Sequence, residues 1–369
     1  VQQNLIKKAM AMEKTTLPDD IIVEILLKLP MESLIRFSCV SKRWRYLVIS
    51  DPEFAQHHFK LGSKHKTLKR RLLFSSTSSK YPYELNWPEH LFGSVDLEGD
   101  SPVISKLVSP FKQGNGAIIL GSCNGLVCAQ FQEKFYICNP STGLSNTLCN
   151  SGFLEYFRSK ANGRRRRVEM SPIYHGFGYV SATDDYKLVV AIANSWKTIQ
   201  APFLSIQAHV IYIKQKRGTL SNEALHWLPW GGGPVVIAFD LAVEFRDVML
   251  PIKNVFATRD TRMPDFQYME VWVMREYDVC ESWTVLFKCS IDYELPRPSS
   301  SIFIRESGTT LIRYCSGKKV ELIWFDKNED KFDNDVVCSR CMLEGLYYAD
   351  DRIEYVESLL CLPDISCKL

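Results

Sequence analysis

Two kinds of apolar spacing divide the chain. Near the front, Ile21, Ile25 and Leu29 fall at i, i+4 and i+8, with Ile22 and Leu26 beside them, which predicts one broad apolar helical face. Pro18 suits the first turn of that helix, and Asp19 and Asp20 suit its positive end. Pro30 disfavours helix at Leu29 and ends the element. A second short helix is expected from Met31, carrying Leu34 and Phe37 on one side. Ser41 is placed to cap a third, carrying Trp44, Leu47 and Val48. Asp51-Pro52 reads as a fresh cap and first turn leading to Phe54 and Phe59. For Ile22, Ile25, Phe37 and Leu47 taken singly, core packing is the expected role.

From about residue 72 the pattern changes to short apolar runs rich in Val, Ile, Tyr, Phe and Trp, separated by turn residues: AIILGSCNGLVCA, YKLVVAI, HVIYI, VVIAFDL, WTVLF and LIWFD among them. Such runs predict many short strands, in a sandwich, barrel or propeller. Three segments repeat one form, an aromatic-rich strand, Asn or Asp, a turn and a further strand: FYICNPSTGLSNTL, VIAFDLAVEFRDVML and LIWFDKNEDKFDNDVV. A fourth, VWVMREYDVCESWTVLF, shares the strand–turn–strand plan. Asp240 and Asp326 lie 326 − 240 = 86 positions apart with the fourth copy between them, compatible with blades of roughly 40–50 residues. A β-propeller-like closed array is favoured, since radial closure protects strand edges; barrel and sandwich stay open. Asn124-Gly125 and Pro140–Gly143 are turn chemistry. The glycines beside Phe177 and Tyr179 mark a strand that another backbone approaches closely. Trp227, Trp272, Trp283 and Trp324 are expected to fill the spaces between sheets.

Composition changes little. At 369 residues, one large domain with a small one is the natural division, and 46% hydrophobic with 24% charged residues is globular. A net charge of +3 is too small to argue for nucleic acid. No apolar run approaches the roughly 18 residues of a membrane span. The leading VQQNLIKKAMAMEKTT lacks the continuous apolar core of a secretory signal; Met10 and Met12 both stand as starts. The 12 cysteines are scattered, which reads as reduced thiols in the cytoplasm or nucleus. Cys338-Ser339-Arg340-Cys341 lacks the second ligand pair of a zinc site. None of the seven histidines forms a metal pair with acidic residues, and no nucleophile elbow, phosphate loop or dinucleotide fingerprint occurs. Gly231–Gly233 reads as a flexible turn, and Cys123 and Cys128 have no indicated base. The expectation is therefore no catalytic residue, cofactor or metal. Arg164–Arg167 form the sharpest charge feature; a solvated loop tip, an import patch and a contact for an acidic partner all stay open.

A helical unit of about 40 residues is marginal alone, and LPDDIIVEILLKLPMESLIRFSCVSKRWRYLV carries more apolar side chain than it can hide. Leu17-Pro18, Leu29-Pro30, Ser33-Leu34 and the Val40-Ser41-Lys42-x-Trp44 run together resemble an F-box. That resemblance implies a docking surface for the Skp-type adaptor of a cullin-based ubiquitin ligase. It assigns the adaptor contacts to Leu17, Pro18, Leu29, Pro30, Leu34, Val40 and Trp44, with Lys42 at the rim. Trp44 stays open between anchor and internal core. Downstream, GSCNGLVCAQ, CNPSTG, YHGFGYVSATDDYKLV, EALHWL, IAFDLAVEF and MEVWVMREYDVCESWTVLF are similar to the F-box-associated domain of plant F-box proteins, often grouped with kelch-type propellers. The expected architecture is α+β and multidomain: a disordered start (1–14), a three-helix F-box (15–60), a linker with a solvated basic face (61–80), and a mainly-β, propeller-like target-binding domain (81–365). IKQKRGTLSNEAL (213–225) and the segment 252–268 are shorter than the resemblance calls for, so missing strands and an incomplete array are expected there. The resemblance implies a non-catalytic specificity subunit whose partners are the adaptor, a cullin through it, and an unknown protein target, with no nucleic acid and no membrane. Two alternatives stay open: a relative of self-incompatibility F-box proteins that target ribonucleases, and a propeller binding protein outside any ligase.

Overall fold

The computed structural model describes residues 17–75, 92–96, 104–111, 117–131, 134–148, 174–192, 195–196, 217–227, 235–242, 248–251, 268–277, 279–290, 298–304, 310–316, 319–325, 338–343 and 351–362. They fall into two compact units. One takes in the chain through Leu68 together with Glu357–Cys361; the other holds Lys69–Val356 and the residues from Leu362.

Among the described residues the first unit has four helices, the three expected and the one that Asp51-Pro52 was expected to open. They are α1 (Asp19–Leu27), α2 (Met31–Phe37), α3 (Lys42–Ser50) and α4 (Pro52–His65). The predicted punctuation holds. Pro18 and Pro30 stand at the N-caps of α1 and α2. Ser41 Oγ accepts from the Trp44 amide at 3.1 Å. Asp51 Oδ1 accepts from the amides of Glu53 and Phe54, with Pro52 in the first turn of α4. The expected linker at 61–80 is corrected at both ends. α4 runs through its first residues, to His65, and β1 occupies Arg70–Ser75; 76–80 lie outside the described residues. Its basic residues are not a solvated face throughout. Arg70 pairs with Glu354, and buried Arg71 donates to Ser94 Oγ and Ser105 Oγ, each at 3.1 Å.

Among the described residues of the second unit, six antiparallel sheets follow one another in chain order. The first joins β1 to β2 (Phe92–Asp96) and β3 (Ile104–Lys106), and its other neighbour is the last strand, β21 (Asp351–Val356). The second runs β4 (Ile118–Cys123), β5 (Leu126–Phe131), β6 (Lys134–Asn139), β7 (Leu144–Leu148). The third contains β8 (Tyr174–Val180), β9 (Asp185–Ile192) and β10 (Ser195–Trp196). The fourth runs β11 (Thr219–Ser221), β12 (Ala224–Trp227), β13 (Val235–Asp240), β14 (Val248–Pro251). The fifth pairs β15 (Tyr268–Met274) with β16 (Trp283–Ser290). The sixth runs β17 (Pro298–Ile304), β18 (Thr310–Ser316), β19 (Lys319–Phe325), β20 (Cys338–Leu343). Two of the three closely matched repeats are β6–β7 and β13–β14, in each case the third and fourth strands of a four-stranded sheet; the third begins with β19, and its remainder, 326–337, lies outside the described residues. The fourth repeat is the β15–β16 hairpin. Among the described residues the third and fifth sheets hold three and two strands. Of the segments where strands were expected to be missing, 252–267 and 213–216 lie outside the described residues, while 217–225 holds β11 and the start of β12.

The sheets meet through buried side chains and close backbone approaches. A Cβ on Gly121 of β4 would lie 2.5 Å from Phe177 Cβ and 2.7 Å from the Phe177 amide nitrogen. The close backbone approach is thus at Gly121, while Gly176 of β8 makes room for the Leu225 side chain of β12. Trp227 is 2% exposed and donates from Nε1 to the His175 carbonyl at 3.3 Å, as an inter-sheet filler should. Arg217 Nε donates to the Ile119 carbonyl at 2.9 Å, and its guanidinium also reaches the Arg352 carbonyl. Burial, and then the Arg352 charge, pull its pKa down to about 10, leaving it cationic at neutral pH. His226 links to Tyr277 Oη through Nε2 at 2.9 Å, and its Nδ1 lies 3.2 Å from the Thr219 carbonyl. The Asn124-Gly125 turn has both residues at positive φ, 53° and 80°, the two-residue hairpin geometry that such a pair favours.

Because the space beside Gly121 is already filled by Phe177, Gly121→Ala is expected to cost about 1–3 kcal/mol through overpacking. A lowered melting temperature by near-ultraviolet circular dichroism checks this; an unchanged one would mean that the two sheets yield freely.

Candidate functional site

α1 is apolar on more of its circumference than its own core can use. Leu26 and Leu27 are 1% and 4% exposed, and Ile22 and Val23 pack at the margin of the same core. Leu17, Ile21 and Ile25, each four positions apart, stand outside it at 55%, 46% and 47% exposed. The broad face predicted from i, i+4 spacing is therefore split, with part of it turned inward and part toward water. Ile25 and Phe37, expected in the core, lie exposed, whereas Ile22 and Leu47 do pack against it.

α2 and α3 extend the exposed set. Phe37 closes α2 and meets Trp44 of α3 edge-on, ring centroids 5.7 Å apart. Val40, between the two helices, and Tyr46 on α3 are exposed. Trp44 is partly buried against the core, so it is both packing and margin. Of the residues assigned to adaptor contact, Leu17, Pro18, Pro30, Val40 and Lys42 are exposed. Leu29 is partly buried and packs on the core. Leu34 requires a correction: it is 0% exposed, inside the core with Met31 and Val48. An α2 residue one turn from Met31 shares its inward side, so Leu34 supports the surface from beneath. Ile21, Ile25, Phe37 and Tyr46 were not among the assigned contacts. The signal that could have found Ile21 and Ile25 is the surplus of apolar positions on α1 over what Pro18–Leu29 can turn inward.

His58 fixes the turn that carries Leu29-Pro30. It is buried on α4, stacks on Phe54, and places Nε2 3.0 Å from the Leu29 carbonyl. Since a carbonyl only accepts, this is the tautomer with the proton on Nε2. Nδ1 is buried with no partner, so protonating it would bury an unsatisfied charge. Burial accordingly lowers the His58 pKa below 6.5, outweighing the opposing Leu29 hydrogen bond. Arg43 of α3 pairs with Asp19 at the start of α1 on the surface.

Among the described residues no other cluster competes as a chemical site. Among the described residues no group of three or more His, Cys, Asp or Glu side chains could hold a metal ion. Cys338 and Cys341 both lie on β20. Burial pushes the Cys123 and Cys138 thiols up to about 12, away from nucleophilic thiolate. Arg164–Arg167 and Gly231–Gly233 lie outside the described residues.

The F-box domain family matches residues 15–55: the chain carries an F-box at this end, over α1 to α3 and the start of α4. Its relatives extend the likeness along most of the chain. The F-box protein CPR1 of Arabidopsis thaliana is 28% identical over 86% of this chain and 83% of its own length. An F-box/kelch-repeat protein of the same plant is 24% identical over 82% of this chain and 86% of its own. Among solved structures, a Lactobacillus plantarum protein aligns with 75% of this chain and 82% of its own at 10% identity and a TM-score of 0.37.

A group whose proton affinity falls on folding destabilises the fold as the unfolded state begins to take up protons. Acidification below pH 6.5 is therefore expected to weaken the helical unit progressively until the depressed folded pKa is reached. In His58→Gln, whose amide keeps a donor for the Leu29 carbonyl, that acid-side loss should shrink. Amide exchange in α4 across pH 5–7.5, corrected for intrinsic rates, checks the sign.

Proposed function

We propose that this chain is the target-recognition subunit of a Skp–cullin–F-box ubiquitin ligase. The helical unit holds a Skp-type adaptor and, through it, a cullin; the β unit holds a protein target. The observation that carries the reading is a coincidence. The segment matching the F-box family is the one that leaves Leu17, Ile21, Ile25, Phe37, Val40 and Tyr46 facing water. F-box domains generally bind Skp1-type adaptors in such complexes, and an interface of ordinary size buries on the order of 1,600 Å². The surface set is Leu17, Pro18, Ile21, Ile25, Pro30 and Val40, with the Phe37–Trp44 pair at one margin and Lys42 at the rim; Leu29 and Leu34 support it.

The subunit's contribution is positional. Holding a target beside the charged transfer enzyme turns a bimolecular encounter into an effectively intramolecular one, and the bond-making chemistry belongs to other subunits. The cytoplasm or nucleus is the compartment this reading assigns. The target would meet loops of the β unit, where sequence changes disturb the sheets least.

Ile21→Asp combined with Ile25→Asp puts two charges on the exposed strip and leaves the core alone. Adaptor affinity is expected to fall at least about 30-fold, the range of a lost hot spot, with the far-ultraviolet circular dichroism unchanged. Undiminished capture of a purified Skp-type adaptor would remove the interface, and absence of a cullin after mild affinity purification of the unaltered chain would remove the ligase role.

A further inference from the structure

After its last strand the chain re-enters the helical unit. β21 ends at Val356, and Glu357–Cys361 group with α1 to α4. Leu359 is 1% exposed and is one of eight buried apolar side chains in that unit's core, with Leu26, Leu34, Val48 and Phe54 among the others. Leu360 packs at the margin of the same core, and Ser358 is fully buried. Cys361 is partly buried, and burial, then the Asp51 charge, raise its thiol pKa.

We propose that residues 357–361 are the fifth element of the F-box unit in this chain, a clasp whose Leu359 completes the core and thereby positions the adaptor-facing side chains. The F-box match ends at residue 55, so the clasp comes from some 300 positions downstream. A helical unit this small has little core to spare, and a buried leucine from outside its continuous segment is a large share of it. Leu359 touches no adaptor; it acts through the helices whose outer faces carry Leu17, Ile21, Ile25 and Phe37. A chain cut before Glu357 would keep every residue of the F-box pattern and lose part of its core.

The test uses the full chain. Leu359→Ala is expected to raise the open population of the helical unit about 100-fold, as for other leucine cavities, read as faster amide exchange in α1 to α4. β1 and β21 should exchange as in the unaltered chain, which shows that the β unit has folded. Leu359→Met refills the space and should restore the protection. Unchanged exchange in α1 to α4 would overturn the clasp, and so would acceleration in β1 and β21 equal to that in the helices. The role in positioning rests on the adaptor reading and has its own arm. Binding of a purified Skp-type adaptor should weaken in Leu359→Ala and recover in Leu359→Met, while equal binding by all three chains would overturn that role. If the unaltered chain binds no adaptor, the function reading falls and the exchange comparison still decides the clasp.

Discussion

A small helical unit can turn only so much apolar surface inward, and that limit governs this molecule. The inner layer is filled by Leu26, Leu27, Leu34, Val48 and Phe54. Leu17, Ile21 and Ile25 have no place in it and stand in water on the outer side of α1. Burying a side chain of this size is worth about 1.5–3 kcal/mol relative to leaving it exposed, so a strip of them favours any partner that covers it. The same limit accounts for a core that also takes in Leu359 from the far end of the chain.

The β unit meets its limits differently. Apolar side chains of its first two sheets share one core, and the contacts that join the second, third and fourth sheets are specific. Gly121 admits Phe177, Gly176 admits Leu225, and Trp227 reaches the His175 carbonyl. Arg217 bonds to carbonyls on β4 and β21, so one cation serves two sheets. The pairing of β1 with β21 unites the ends of the unit. That pairing makes Arg70 and Glu354, far apart in sequence, near neighbours. The turns are left to local chemistry, as where Asn139 Oδ1 accepts from the Ser141 and Thr142 amides.

Much of this was legible because it is local. Helix caps at Ser41 and Asp51, the break at Pro30, and the Asn124-Gly125 hairpin need only neighbours to declare them. Two of the repeated strand–turn–strand segments marked equivalent strand pairs, β6–β7 and β13–β14, of different sheets. What failed was non-local. Arg70 and Arg71 look like a solvated basic run until β2, β3 and β21 supply Ser94, Ser105 and Glu354 as partners. Leu34 stands in the F-box pattern beside true surface residues, and periodicity on a seven-residue helix is too short to say which way it points. Ile25 and Phe37 were read inward because spacing identifies a stripe without stating how much of it a core can take. The return of Leu359 has no local signature at all.

The division between surface and support also changes how the F-box pattern should be understood here. Leu29 and Leu34 recur in it beside Leu17, Pro18 and Val40, yet only the latter three are exposed. A sequence pattern that fits a docking module must encode both the surface and whatever holds the surface in place. His58 lies outside the residues read as pattern, yet its Nε2 bonds to the Leu29 carbonyl and fixes the turn leading to Pro30. Leu359 stands still further away and lies in the same core as Leu34. On the proposed docking reading, precision of the outer face is set from behind, by groups that never meet the partner. Substitutions at such positions would alter docking without altering a single contact, which is why surface chemistry alone understates what this unit needs in order to bind.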